Sequence, residues 1–317
     1  MATVNTGDTI TAANYNDLQS RVATIMGTGS ADSGYGQTLT SAQVSTGNTV
    51  TATHMDNLRT DINKANLHQT GSSASIGNIA VGQIIGANAS GTAVGSLTQT
   101  DEGYNDYDTA VTLITTNKKL LDNGQGTLED VITSQRTTNW QTEIQHVFTC
   151  DFTTADNARF FFNTGSTINV SLSLTGGSGS KTTSWANLFS SMGSVVFTDD
   201  NTLLAGPATI VNIGWYDLTT SYQEIATTAV GGGGVYDENN VVVNAKRNTA
   251  ASTLTIQVRL IDADAGDQRP GFLPGPGVDE PVTGTTTSTV QRFRATGVNV
   301  EAPTFSTSSS TDLSAGS

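Results

Sequence analysis

Residues 144–152 read IQHVFTCDF. Ile144, His146, Phe148, Cys150 and Phe152 alternate with Gln145, Val147, Thr149 and Asp151, the period-two pattern of a strand buried on one face. Ile168, Val170, Leu172 and Leu174 repeat it. Further strands are predicted at about 194–198, 208–216, 221–227, 239–246, 253–262 and 286–295. Turn signals separate them. Gly231–Gly234 is a four-glycine turn, and 264–285 is a long loop holding Pro270, Pro274, Pro276 and Pro281. Two short helices fit between strands. One is capped by Thr154 and carries Phe160–Phe162; the other spans Ser184–Met192, turns Trp185, Leu188, Phe189 and Met192 inward, and ends at Gly193. About seven or eight strands in this arrangement predict an antiparallel β-sandwich with Greek-key character over residues 140–317. The Ser/Thr-rich tail after Phe305 has few groups to tether it.

The chain before Trp140 is different. VNTGDTITAANYNDLQSRV (4–22) and VSTGNTVTATHMDNLRTDI (44–62) are two copies of one unit, offset by 46 − 6 = 40 residues. Thr11 and Thr51 are the expected N-caps. The first helix is predicted from about Ala12 to Met26, with Tyr15, Leu18, Val22 and Ile25 on one stripe. Gly27 is expected in a left-handed position just past its end. The second runs from about Ala52 to Leu67, with Met55, Leu58 and Ile62 on its stripe. A third is predicted from about Glu102 to Leu121, striped by Tyr104, Tyr107, Val111, Ile114 and Leu121. The uncharged Gly/Ser/Ala stretch at 71–99 reads as a linker or as a packing segment in an assembly, with Val81, Ile84 and Ile85 favouring packing. The expected class is α+β, mainly β. Duplicated turn-helix anchoring repeats (1–70) are followed by a Gly/Ser-rich and helical connector (71–139) and the β-sandwich (140–317).

Composition narrows the function. The 317 residues carry 14 Lys+Arg against 28 Asp+Glu, a net charge of −14. Nucleic-acid binding is not expected, because phosphate neutralisation needs a basic patch. No stretch of about 20 apolar residues marks a membrane span, and MATVNTGDTI lacks the charged-then-apolar form of a signal peptide. The single Cys150 excludes an internal disulfide and a zinc cluster. His54, His68 and His146 are the only histidines, which leaves little acid–base capacity near neutrality. No catalytic residue, metal or cofactor is therefore expected. The Lys-poor, Thr/Ser/Asn-rich composition suits burial against further copies of the chain, since long charged side chains lose more entropy on ordering.

His54 is expected at the surface or between subunits, His146 as a satisfied core histidine, and Cys150 as buried and inert. Asp262, Asp264, Gly266 and Asp267 form a possible cation loop, but Leu273 stands where a calcium hand needs Glu. Asp199-Asp200-Asn201 is first a turn, and on a strand its two acids would face opposite ways, unlike a glycosidase pair. Gly176–Lys181 is glycine-rich but lacks the phosphate-loop ending. Trp215 and Tyr216, with Tyr222 nearby, are either core aromatics or a sugar-stacking platform. Leu18, Val22, Leu58, Ile62, Val111 and Ile114 are expected to form helix–helix assembly interfaces.

TGDTITAANYNDLQSRV and TGNTVTATHMDNLRTDI, joined by Gly34-Tyr35-Gly36-Gln37 and followed by His68-Gln69-Thr70-Gly71, resemble the N-terminal region of virion structural proteins of tailed bacteriophages, chiefly marine and cyanobacterial phages. The segments around Ala158–Gly165, Ile168–Leu174 and Thr183–Leu188 resemble a β-rich module of tail-fibre-like proteins from the same phages. The resemblance implies a non-enzymatic virion component: a homo-oligomer, with a trimer favoured, attached to other phage proteins through its N-terminal region. Capsid decoration or head fibre, receptor (glycan) adhesin and glycan depolymerase are the rival roles. The length is short for a long receptor-binding fibre.

Overall fold

The computed structural model describes the chain apart from residues 1–8, 75, 82–83, 87–92, 95–96, 123–125, 205–207, 229–235, 237, 264–279, 296–307 and 312–317. The four-glycine turn, Asp264, Asp267 and most of the proline loop and tail lie outside the described residues. The chain divides into two compact units, Met1–Thr127 with Arg159–Gly165 and Arg294–Ala302, and Leu128–Ala158 with Ser166–Phe293 and Pro303–Ser317. The division falls ahead of the composition change near Trp140.

The N-terminal unit is built from α1 (Ala12–Met26), α2 (Ala52–Thr70), β1 (Ile84–Gly86), β2 (Ala93–Val94), β3 (Leu97–Gly103) and α3 (Tyr104–Thr116). Both repeat helices start with the same device. The Thr11 and Thr51 hydroxyls accept from the backbone N–H of Asn14 and His54, each at 3.3 Å. Asn14 Oδ1 and His54 Nδ1 accept in return from the threonine backbone N–H groups. Two orphan amides per helix are thereby satisfied. Gly27 departs from expectation: it is extended, with φ −75°. A Cβ there would lie 2.7 Å from the Ala23 carbonyl oxygen, so close approach accounts for the glycine. The left-handed cap is found instead at Gly71, φ 75°. α3 is shorter than predicted. Asp106 caps its start by accepting from the Gly103 N–H at 2.7 Å. β3 lies between β1, parallel to it, and β2, antiparallel.

The C-terminal unit carries two antiparallel sheets. Its elements are β4 (Gly126–Arg136), β5 (Glu143–Asp151), α4 (Ala155–Asn163), β6 (Thr167–Thr175), α5 (Ser180–Met192), β7 (Ser194–Phe197), β8 (Thr202–Leu204), β9 (Thr209–Ile210), β10 (Gln223–Thr227), β11 (Asn240–Arg247), β12 (Thr253–Ile261), β13 (Thr285–Ala295) and β14 (Ser308–Thr311). The end of α4, from Arg159, groups with the N-terminal unit. One sheet has the order β14-β5-β12-β11-β10-β9 and the other β4-β13-β6-β7-β8. The α+β class with a C-terminal β-sandwich is thus what the chain adopts. Ile144, Phe148, Cys150, Leu254, Ile256, Val258 and Leu260 of the first sheet, with Ile168, Val170, Val195, Phe197 and Val290 of the second, are buried. The predicted strand at 208–216 is a correction: only Thr209–Ile210 pairs. Gly214 lies so close to Asp200 that a Cβ would sit 2.3 Å from its Cα, and Trp215–Asp217 form a 3₁₀ turn.

Candidate functional site

The six predicted assembly residues lie in one place. Leu18, Val22, Leu58, Ile62, Val111 and Ile114 have no exposed surface, and they join Tyr15, Met55 and Tyr107 in a single core. A side chain fully covered within one chain has nothing left to bury against a second copy. This corrects the assembly-interface expectation: the stripes of α1, α2 and α3 meet one another. Polar contacts close the same unit. Asp61, buried on α2, accepts from the backbone N–H groups of Thr40 and Ser41 at 3.0 and 2.8 Å and from the Ser41 hydroxyl at 2.7 Å. Gln69 donates to the Tyr35 hydroxyl and the Ile114 carbonyl, both at 2.9 Å. His68 Nε2 hydrogen-bonds the Thr164 carbonyl at 2.7 Å, and burial holds the imidazole below its ordinary value. The apolar side chains left on this unit's surface include Val81, 90% exposed, and Leu113, 51% exposed.

In the sandwich, Trp215 follows the core reading, and the alternative of a sugar platform at Trp215 and Tyr216 is corrected. Trp215 is 2% exposed and packs edge-on against Phe152 at 5.7 Å, so no ring face is open to a sugar. Tyr216 is half-buried. Asp199, Asp200 and Asn201 form a turn closed by the Thr198 N–H donating to the Asn201 carbonyl at 3.0 Å. Cys150 is fully buried, and desolvation pushes its thiol well up from the ordinary range, which disfavours the nucleophilic thiolate. His146 shares a 2.8 Å hydrogen bond with Ser288 across the sandwich interior, and burial lowers its pKa to about 4. His54 is half-buried and serves as a helix cap.

The glycine-rich loop has a structural reason. A Cβ on Gly177, at φ 77°, would sit 2.5 Å from the Thr283 carbonyl oxygen. Thr283 Oγ1 accepts from the Ser178 N–H and donates to the Ser178 carbonyl, both at 2.9 Å. The loop delivers Lys181, second residue of α5, into the interior. Lys181 and Asp262 are an ion pair at 2.8 Å, and neither side chain has exposed surface. Asn239 joins them. With the carboxamide oriented so that both its ends find partners, its nitrogen donates to Asp262 Oδ1 at 2.9 Å and its oxygen accepts from Trp185 Nε1 at 3.1 Å. Trp140 lies edge-on to Trp185 at 4.9 Å. The β11–β12 ladder pairs Asn240 with Ile261, so Asn239 and Asp262 occupy the next position along it. Lys181 and Trp185, four apart, share a face of α5. Of the predicted cation loop, Asp262 is thus committed to a lysine. Among the described residues no group of three His, Cys, Asp or Glu could hold a metal ion. The sequence reading missed this four-residue cluster.

Compared with family models, curated proteins and solved structures, the chain matches none.

Proposed function

We propose that this chain is a non-enzymatic structural component of a phage virion, a tail or fibre-like protein that self-assembles, with a trimer favoured, and attaches to other phage proteins through its N-terminal region. The observation that carries the reading is the duplicated unit, two helices offset by forty residues, capped alike and closed into one core. Such a core presents a preformed surface, so docking needs little ordering entropy. A low charge content lets that surface be covered at modest desolvation cost. The buried state of Cys150 and His146 gives neither the setting of a nucleophile or general base at neutral pH.

The test is mass spectrometry of density-purified particles from a phage encoding this chain, with light scattering of the isolated protein. Peptides of the chain at a fixed ratio to the tail proteins are the expected result. Exclusion from particles while the chain accumulates in the lysate would sink the reading; a fixed ratio to the capsid protein would favour capsid decoration.

A further inference from the structure

The cluster of Lys181, Asn239, Asp262 and Trp185 has an economy that a structural ion pair does not need. A buried pair contributes little net stability compared with apolar side chains of similar volume. Here one carboxylate also brackets two nitrogens. Lys181 Nζ lies 2.8 Å from Asp262 Oδ2, and the Asn239 amide nitrogen lies 2.9 Å from Oδ1. The far side of the Asn239 carboxamide is polarised by the Trp185 indole N–H, 3.1 Å from its oxygen. All of this is dry: Lys181 and Trp185 have no exposed surface, and Asn239 is 1% exposed.

We infer that Lys181 and Asn239 join in an intramolecular isopeptide bond, with Asp262 carrying the proton. In a water-free site the charge-separated pair is disfavoured. Passing one proton from Nζ to Asp262 leaves a neutral amine beside a carboxylic acid. The Nζ lone pair attacks Cγ of Asn239, and the electron pair of the C=O bond moves to oxygen, held by the Trp185 N–H as an oxyanion donor. Asp262 gives its proton to the departing amide nitrogen and accepts one from Nζ. The C–N bond of the carboxamide breaks and one ammonia leaves. The products are a secondary amide between Nζ and Cγ, free ammonia and Asp262 again as the acid. No oxidant, metal or second substrate enters. Holding the three groups in one geometry is what lets so unreactive a pair combine.

The bond ties the start of α5 to the start of β11 and closes the chain between them into a loop, which constrains the unfolded state as a disulfide does. It would serve a chain with one cysteine that cannot form an internal disulfide.

The experiment is the intact mass of the folded, purified full chain under denaturing conditions, followed by trypsin. The expected mass is that of the sequence less one ammonia. No Lys or Arg lies between Arg159 and Lys181 or between Lys181 and Lys246. An acylated Lys181 resists trypsin, so digestion should give a single peptide, 160–246, short of one ammonia. A free Lys181 gives two, 160–181 and 182–246. Lys181→Arg and Asp262→Asn should each restore the full mass. Full mass with cleavage after Lys181 in the folded wild-type chain overturns the inference. So does loss of a water, which would place the bond on Asp262, and so does loss of ammonia with Lys181 still cleaved.

Discussion

Asn14 Oδ1 and His54 Nδ1 perform the same task at equivalent places in the duplicated unit, each accepting from the backbone N–H of its N-cap threonine at 3.0 Å. One acceptor is a carboxamide oxygen and the other an imidazole nitrogen, but each sits at the same distance. Thr11→Ala and Thr51→Ala should therefore cost about 1 kcal/mol each. His54→Asn should cost less than Thr51→Ala, because the amide reproduces the acceptor seen at Asn14. Urea denaturation followed by helical circular dichroism measures both. A Thr51→Ala variant as stable as wild type would show that the cap contributes nothing.

The fully buried stripes set the second prediction. Leu18→Ala and Leu58→Ala should each destabilise the N-terminal unit by about 2–5 kcal/mol, the range for emptying a packed core site. Leu18→Asp should remove helical signal. A variant that keeps its helical signal but changes its mass by light scattering would restore Leu18 to an interface. Leu113 is the contrast: half of it is exposed, so Leu113→Asp should leave folding intact. If α3 presents its outer face to a sister chain, that variant lowers the oligomer mass.

Much of this was legible because its causes are local. Thr11 with Asn14, and a stripe at spacings of three and four, set the start and inner face of α1; the expected and observed bounds of that helix agree. The alternation at Ile144–Phe152 likewise foretold β5, whose inner residues are all buried. What stayed hidden depends on pairing. β4, with Glu129, Asp130, Ser134, Gln135 and Arg136 among its residues, carries little apolar signal and is a strand through its place beside β13. β14 is Ser308–Thr311, and only its register on β5 makes it one. The Lys181 cluster is the clearest case. In the sequence Lys181 and Asp262 belong to two unrelated motifs, a glycine-rich loop and an acidic loop. They meet only once α5 and the β11–β12 ladder are in place, and Asn239 had no signal at all. Periodicity marks the stripes of α1, α2 and α3 as apolar faces, but it gives no sign of which partner covers a face.

Asp61 offers a third prediction. It is fully buried and accepts from Thr40 and Ser41, with Lys64 Nζ 3.6 Å away. An amide in its place would turn two donors toward donors. Asp61→Asn should cost about 1–3 kcal/mol, the penalty of unsatisfied buried groups. Asp61→Ala should cost a similar amount, while Lys64→Ala, at the exposed edge, should cost under about 1 kcal/mol. Equal losses for Asp61→Asn and Lys64→Ala would show that the ion pair, rather than the amide donors, makes the contact valuable.

The last prediction concerns acid. Burial lowers His146 from 6.5 to about 4. The unfolded chain therefore takes up this proton near pH 6.5, while the folded chain resists it to about pH 4. The unfolded state binds more protons throughout that window, so stability rises with pH across it. The contribution is complete above about pH 6.5 and is lost as pH falls toward 4. One proton over that span corresponds to about 3 kcal/mol. His68 is also lowered by burial, and its contribution has the same sign in the N-terminal unit. Urea denaturation at pH 7.5 and at pH 4.5 should show the loss in wild type. His146→Gln keeps a partner for Ser288 and has nothing to titrate, so its stability should change less between the two pH values. It should be less stable than wild type at pH 7.5, where the native hydrogen bond is intact, and the gap should narrow at pH 4.5. A gap that stays constant between the two would mean that His146 takes up its proton alike in the folded and unfolded chain.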